Sequence, residues 1–70
     1  MSSVAKVIEL IAESEKSWDE AARNAVVEAS KTLKNIRSIW VDNMTAEVRD
    51  NKITMYRANV KVTFVLEGNR

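Results

Sequence analysis

The apolar positions fall into blocks of different period. Residues 4–11 read V-A-K-V-I-E-L-I, a β-branched and largely apolar run that predicts a strand with most of both faces covered. Residues 12–16, A-E-S-E-K, read as a polar connection. Ser17-Trp18-Asp19-Glu20 then matches a capping box, in which the serine hydroxyl accepts from the Glu20 N–H and the Glu20 carboxylate reaches back to the Ser17 N–H. Asp19 and Glu20 also suit the positive end of a helix dipole. Behind the cap, Trp18, Ala21, Ala22, Ala25, Val26, Ala29 and Leu33 fall on one helical stripe, while Asp19, Arg23, Glu28 and Lys31 take the other side. Because most of the stripe is alanine, the helix can lie close to a sheet, with Trp18 and Leu33 filling its ends.

Two further strands are predicted on either side of Asp50-Asn51, a dipeptide that tolerates positive φ and suits a two-residue hairpin loop. A uniform register from that loop sets Val41 opposite Val60 and Ile39 opposite Val62. Tyr56, Ala58, Val60, Val62, Phe64 and Leu66 then form one apolar face, which with Ile39 and Val41 should cover the helix. The opposite, outward face pairs Val48 with Ile53, Ala46 with Met55, Met44 with Arg57, Asp42 with Asn59 and Trp40 with Lys61. Its hairpin end is apolar, and one helix cannot cover both sides of a sheet, so this patch is expected at an interface or ligand site. The first two strands, joined through a helix, should run parallel and flank the last as antiparallel neighbours, by a right-handed crossover. The expected architecture is α+β: β-α-β-β, with a three-stranded antiparallel sheet in the order 1-3-2 around one helix.

Composition narrows the function. Seventy residues make one domain, spanning 1–70, whose core supplies only a few kcal/mol. There is no Cys and no His, which removes disulfides, thiolate metal sites and the commonest general base. Self-association is the remaining added stabiliser. With no nucleophile beside a base and no Gly-rich loop, no catalytic residue is expected and the protein reads as a non-enzyme. The net charge of +1, with basic and acidic residues interleaved, points away from nucleic acid. The apolar runs are too short for a membrane span, and the N-terminus lacks a signal-peptide stretch, so a cytoplasmic location is expected.

The sequence resembles the dodecin family. The matching pieces are K-V-I-E-L at 6–10, S-W-D-E-A-A-R-N-A-V at 17–26, T-L-K-N-I-R at 32–37 and Y-R-A-N-V-K-V-T-F-V-L-E at 56–67, in the family's order along almost the whole chain. The resemblance implies twelve subunits in a hollow homo-dodecamer of cubic symmetry. It also implies a small-ligand binding and storage role, with flavin (riboflavin or FMN) as the family ligand. In typical members two isoalloxazine rings stack at a twofold axis between Trp side chains, and a Gln of the last strand bonds the ring edge. Here the stacking position falls at Ser38 and the Gln position at Arg57, so flavin binding is expected to be weakened or altered. Divergent members without that Trp have been associated with cations, which makes a structural or calcium-binding assembly the alternative.

The candidate ligand-binding residues are therefore Ser38, Trp40 and Arg57, with Met44 and Met55, facing each other, as further lining. Trp40 lies roughly 6–7 Å along the strand from Ser38 on the same face and is the replacement stacking platform. Its competing reading is a buried interface aromatic, with Lys61 opposite as a cation–π partner. Arg57 is either a ligand donor or one half of an inter-subunit salt bridge; it lacks the acceptor half of a Gln. Trp18 is assigned to the core. Glu9, Asp42 and Glu47 do not form a contiguous calcium loop and read as solvated or salt-bridged carboxylates, so no metal ligand is assigned.

Overall fold

The computed structural model describes residues 3–66. The chain runs β1 (Val4–Ser14), α1 (Trp18–Ser30), β2 (Ile36–Arg49) and β3 (Lys52–Leu66). Both outer strands pair antiparallel to β3, giving the sheet order β1-β3-β2 anticipated from the crossover argument.

Strand β1 is longer than its apolar run. Ala12, Glu13 and Ser14 continue the ladder opposite Ala58, Arg57 and Tyr56, because the long central strand offers them backbone partners. Burial alternates along it: Ile8, Leu10 and Ala12 turn inward, while Val7 and Ile11 stay exposed on the other face. The expectation of cover on both faces is thus not met within one chain.

The start of α1 departs from a reciprocal capping box. Ser17 Oγ accepts from Glu20 N at 2.9 Å, as expected. Glu20, however, does not reach back to Ser17; its carboxylate accepts from Ser14 Oγ at 3.1 Å. Ser14 Oγ in turn accepts from Lys16 N at 2.9 Å and Ser17 N at 3.3 Å. One buried hydroxyl thereby uses its donor and both lone pairs to turn strand into helix. The helix ends at Ser30, with Lys31 as C-cap and the N–H groups of Thr32 and Leu33 closing on Ala29 O. Leu33 therefore lies past the helix end, although it still packs on the core.

The core is small. Ala21, Ala25 and Ala29 meet Ala58, Val60 and Val62, and Ile8, Leu10, Ile39 and Val41 close its sides. Val60 and Val62 are the largest fully buried side chains, each worth about 1.5–3 kcal/mol on burial. Alanine on the helix permits close approach, and methyl-sized knobs suit the β-branched sheet surface.

Asp50 and Asn51 both adopt positive φ, at 52° and 65°, as a two-residue mirror-type turn requires. The register is not uniform beyond it. Val48 faces Ile53, but Glu47 faces Met55, leaving Thr54 as an extra residue in β3. The offset persists through Ala46–Tyr56, Thr45–Arg57, Met44–Ala58 and Asn43–Asn59. An extra residue at Asp42 cancels it, so Val41–Val60, Trp40–Lys61 and Ile39–Val62 pair as expected. Four expected pairings are corrected accordingly: Ala46 with Met55, Met44 with Arg57, Asp42 with Asn59, and Met44 facing Met55. A one-residue slip moves side chains to the other face of a sheet. Met44, Ala46, Val48 and Ile53 therefore lie on the helix side, past the reach of α1, with Met44, Val48 and Ile53 exposed.

Replacing Val60 with Asp should abolish the fold. Val60 is wholly buried between Leu10 and Val41, and an unpaired carboxylate there costs several kcal/mol. The expected outcome is loss of a cooperative melt by circular dichroism; a native-like melt would refute the placement of this face.

Candidate functional site: the outward face of the sheet

The face turned away from α1 carries four of the five candidate residues, Ser38, Trp40, Met55 and Arg57. Along β3 it presents Thr63, Lys61, Asn59, Arg57 and Met55. The pairings bring Val7, Glu9, Ile11 and Glu13 alongside from β1, and Ser38, Trp40, Asn43, Thr45 and Glu47 from β2. Every aromatic except Trp40 belongs to the helix side. Tyr56 and Trp18 meet edge to face with centroids 4.9 Å apart, and Phe64 is buried. Trp18 Nε1 also donates to Thr45 O at 2.8 Å, which ties the helix start to β2. Trp18 is thus a half-buried packing residue beside Tyr56, at the margin of the core rather than in it.

Trp40 stands on the outward face with 62% of its surface exposed. The Lys61 ammonium lies 4.7 Å from its ring centroid, and is 3.6 Å from Asp42 Oδ2. Asp42, the extra residue of β2, is thereby turned to the same side as Trp40. Ser38 lies beside Trp40 on this face, opposite Thr63, and is exposed.

Arg57 serves a different cluster. It is four residues from Lys61, roughly 13 Å along β3. Its Nε donates to Glu13 Oε2 at 2.7 Å, and Nη2 contacts Glu13 Oε2 at 2.6 Å and Glu47 Oε2 at 3.0 Å. One guanidinium thus bridges carboxylates from β1 and β2 across the central strand, within one chain. These hydrogen bonds, to Glu47 first and Glu13 second, raise the Arg57 pKa further above its ordinary value, so the group remains cationic. The structure therefore brings Ser38 and Trp40 together and sets Arg57 apart from them. Of the two lining methionines, Met55 shares this face beside Glu47, whereas Met44 is on the other side of the sheet.

Glu13 was the residue missed from sequence. Its segment, A-E-S-E-K, reads in sequence as a polar connection, yet the outward alternation Val7, Glu9, Ile11, Glu13 continues through it. Glu47 escaped as a partner because a uniform register sets it opposite Thr54. Among the described residues, no group of three or more Asp or Glu side chains is arranged to hold a metal ion. No helix there is long and apolar enough to cross a membrane.

Comparison with known proteins defines the class. The dodecin family model matches residues 4–67. The chain belongs to the dodecin family, a family of small-ligand binders. Among solved structures, a single-site variant of the Thermus thermophilus dodecin is 27% identical with a TM-score of 0.91, covering 96% of this chain and 100% of that one. Dodecin from Streptomyces coelicolor is 28% identical with a TM-score of 0.90, covering 96% of both chains. The calcium dodecin of Mycobacterium tuberculosis, described as calcium-chelating with a novel calcium-binding site, is 34% identical with a TM-score of 0.79, covering 96% of both. No curated protein is a significant sequence match.

Replacing Arg57 with Gln should lower the melting temperature, because Glu13 and Glu47 are then left as like charges without a bridge. The deficit should shrink with salt, since the Debye length falls from about 30 Å at 0.01 M to about 3 Å at 1 M. Thermal melts of both proteins at the two ionic strengths read this directly; an equal deficit at both would assign Arg57 a packing role instead.

Proposed function

We propose that this protein is a dodecin-type assembly that binds and stores a planar small ligand on the outward face, with Trp40 as the stacking platform. The observation that carries the reading is an exposed indole, the sole aromatic of that face, two residues along β2 from the position where the family resemblance implies a stacking Trp. Flavin is the ligand class this favours. Ser38 offers no ring, and Arg57 is engaged with Glu13 and Glu47, so ring-edge recognition by that residue is lost and affinity is low. The benefit of such binding is sequestration of a photoreactive ring. The mechanism is binding rather than catalysis, and cytoplasmic residence follows from the same reading.

Self-association completes the site. The described chain has a radius of gyration of 14.7 Å, against about 11 Å for a compact domain of this length. Val7 and Ile11 on one face and Met44, Val48 and Ile53 on the other are exposed. A twelve-subunit shell covers such surfaces. Light scattering coupled to size exclusion should give a mass near twelve chains at micromolar concentration; a stable monomer would refute the assembly.

A second reading, cation binding without flavin, draws on the likeness to the mycobacterial calcium dodecin. Titration with riboflavin separates the two. Stacking on indole should quench flavin fluorescence, and Trp40→Ala should remove the effect. Ser38→Trp should strengthen binding roughly 5- to 150-fold, from about 1–3 kcal/mol per added stacking contact. No quenching by the natural protein, together with a rise in melting temperature on adding calcium, would favour the second reading.

A further inference from the structure

We infer that Lys61 is a displaceable cover of the Trp40 ring, held there by Asp42 of β2 and released toward Glu9 of β1 when a planar ligand stacks. This rests on the reading of Trp40 as the platform and names the residues that set how readily a ligand reaches it.

One row across the sheet reads Glu9, Lys61, Trp40, with one residue from each strand, because Lys61 is paired with Glu9 on β1 and with Trp40 on β2. The Lys61 ammonium leans toward β2, 4.7 Å from the indole centroid and 3.6 Å from Asp42 Oδ2. Asp42 reaches it from the same side as Trp40 because it is the extra residue of its strand. Both contacts are of the weak kind: a cation over an exposed ring, and a long ion pair whose side chains are 33% and 39% exposed. Residues directly opposite in an antiparallel pair stand about 4.5–5.5 Å apart at Cβ. The flexible four-carbon stem of the lysine therefore carries the same ammonium to Glu9 by side-chain rotation, with the backbone in place. Arg57, further along β3, is engaged with Glu13 and Glu47 and does not compete for Asp42 or Glu9. The ammonium thus has a carboxylate on each side of it, and only the one on β2 holds it over the ring.

A guest that stacks on the covered face of the indole replaces the cation–π contact and sends Lys61 toward Glu9. Apparent affinity is lowered by the fraction of molecules in which the ring is covered. Asp42 and Glu9 carry the same charge, yet they act on binding with opposite sign: Asp42 favours the covered state and Glu9 the open one. A change in the overall field of the face would move Asp42→Asn and Glu9→Gln in the same direction, so opposite shifts are the signature of the swing. Lys61→Met, which keeps an apolar stem and removes the ammonium, should tighten riboflavin binding about 2- to 5-fold. That is the roughly 0.5–1 kcal/mol of an exposed cation–π contact at about 1.4 kcal/mol per decade.

The experiment is fluorescence titration of the assembled protein with riboflavin, in the natural chain and in Lys61→Met, Lys61→Arg, Asp42→Asn and Glu9→Gln, each repeated with Trp40→Ala. Light scattering checks that every variant keeps the natural mass. The expected result is tighter binding in Lys61→Met and Asp42→Asn, weaker binding in Glu9→Gln, and near-natural binding in Lys61→Arg, which keeps a cation over the ring. All of these differences should vanish with Trp40→Ala. Quenching that appears only once the ammonium is removed would support the cover as well. Trp40-dependent quenching with Lys61→Met no tighter than the natural chain would overturn this inference and leave the platform standing, since the ligand then stacks on the indole face that the lysine leaves open. Asp42→Asn and Glu9→Gln shifting affinity the same way would also overturn it. Quenching in neither the natural chain nor Lys61→Met, or quenching that survives Trp40→Ala, would overturn the platform and the inference with it.

Discussion

One 13-residue helix against a 15-residue central strand is the constraint on which the rest depends. The helix spans about 20 Å, whereas the strand spans about 50 Å. Close packing through Ala21, Ala25 and Ala29 covers the middle of β3 and cannot reach the hairpin. The buried residues accordingly form a short block around Val60, and apolar exposure appears on the outward face and at the hairpin end. A monomer with this geometry has two uncovered surfaces, and a closed assembly is the physical remedy available to a chain without disulfides.

The register shifts have a positional logic. Between Asp42 and Thr54 the hairpin is slipped by one residue and then restored. The slip lets Thr45, rather than Met44, stand beside Arg57, so that Glu47 comes within reach of the guanidinium. It also turns Asp42 toward Lys61. The same slip carries Met44 and Val48 to the helix side. The hairpin half of the outward face thereby becomes polar, with charges tied across three strands, instead of the apolar patch that a regular hairpin would present.

What was legible in the sequence was whatever depends on local period. The alanine stripe, the serine cap, the Asp50-Asn51 turn and the strand order all follow from short-range chemistry. The Trp40–Lys61 contact was legible too, because both residues lie where the uniform register holds. The parts that were not legible depend on pairing between distant segments. Glu13 belongs to a strand only because β3 is long enough to receive it, and its composition alone reads as a loop. Ser14 becomes the joint of the strand-to-helix turn only because Glu20 is folded back over it. Asp42 and Thr54 carry no clear signature of extra residues: neither is Gly, and Thr54 is an ordinary strand residue.

The two cationic residues of the outward face show how position separates similar groups. Arg57 presents a planar fork between two carboxylates and is held by directed hydrogen bonds from both sides. It is a brace between strands and has little freedom to follow a ligand. Lys61 has a flexible stem, a single carboxylate at 3.6 Å and a ring beneath it, all weaker than a bidentate pair. Of the two, Lys61 can move aside at small cost, and the face it uncovers is that of Trp40. On the proposed reading of Trp40, a planar ligand would compete with the lysine for the same indole surface, and the chain itself would supply the first competitor for a guest to displace.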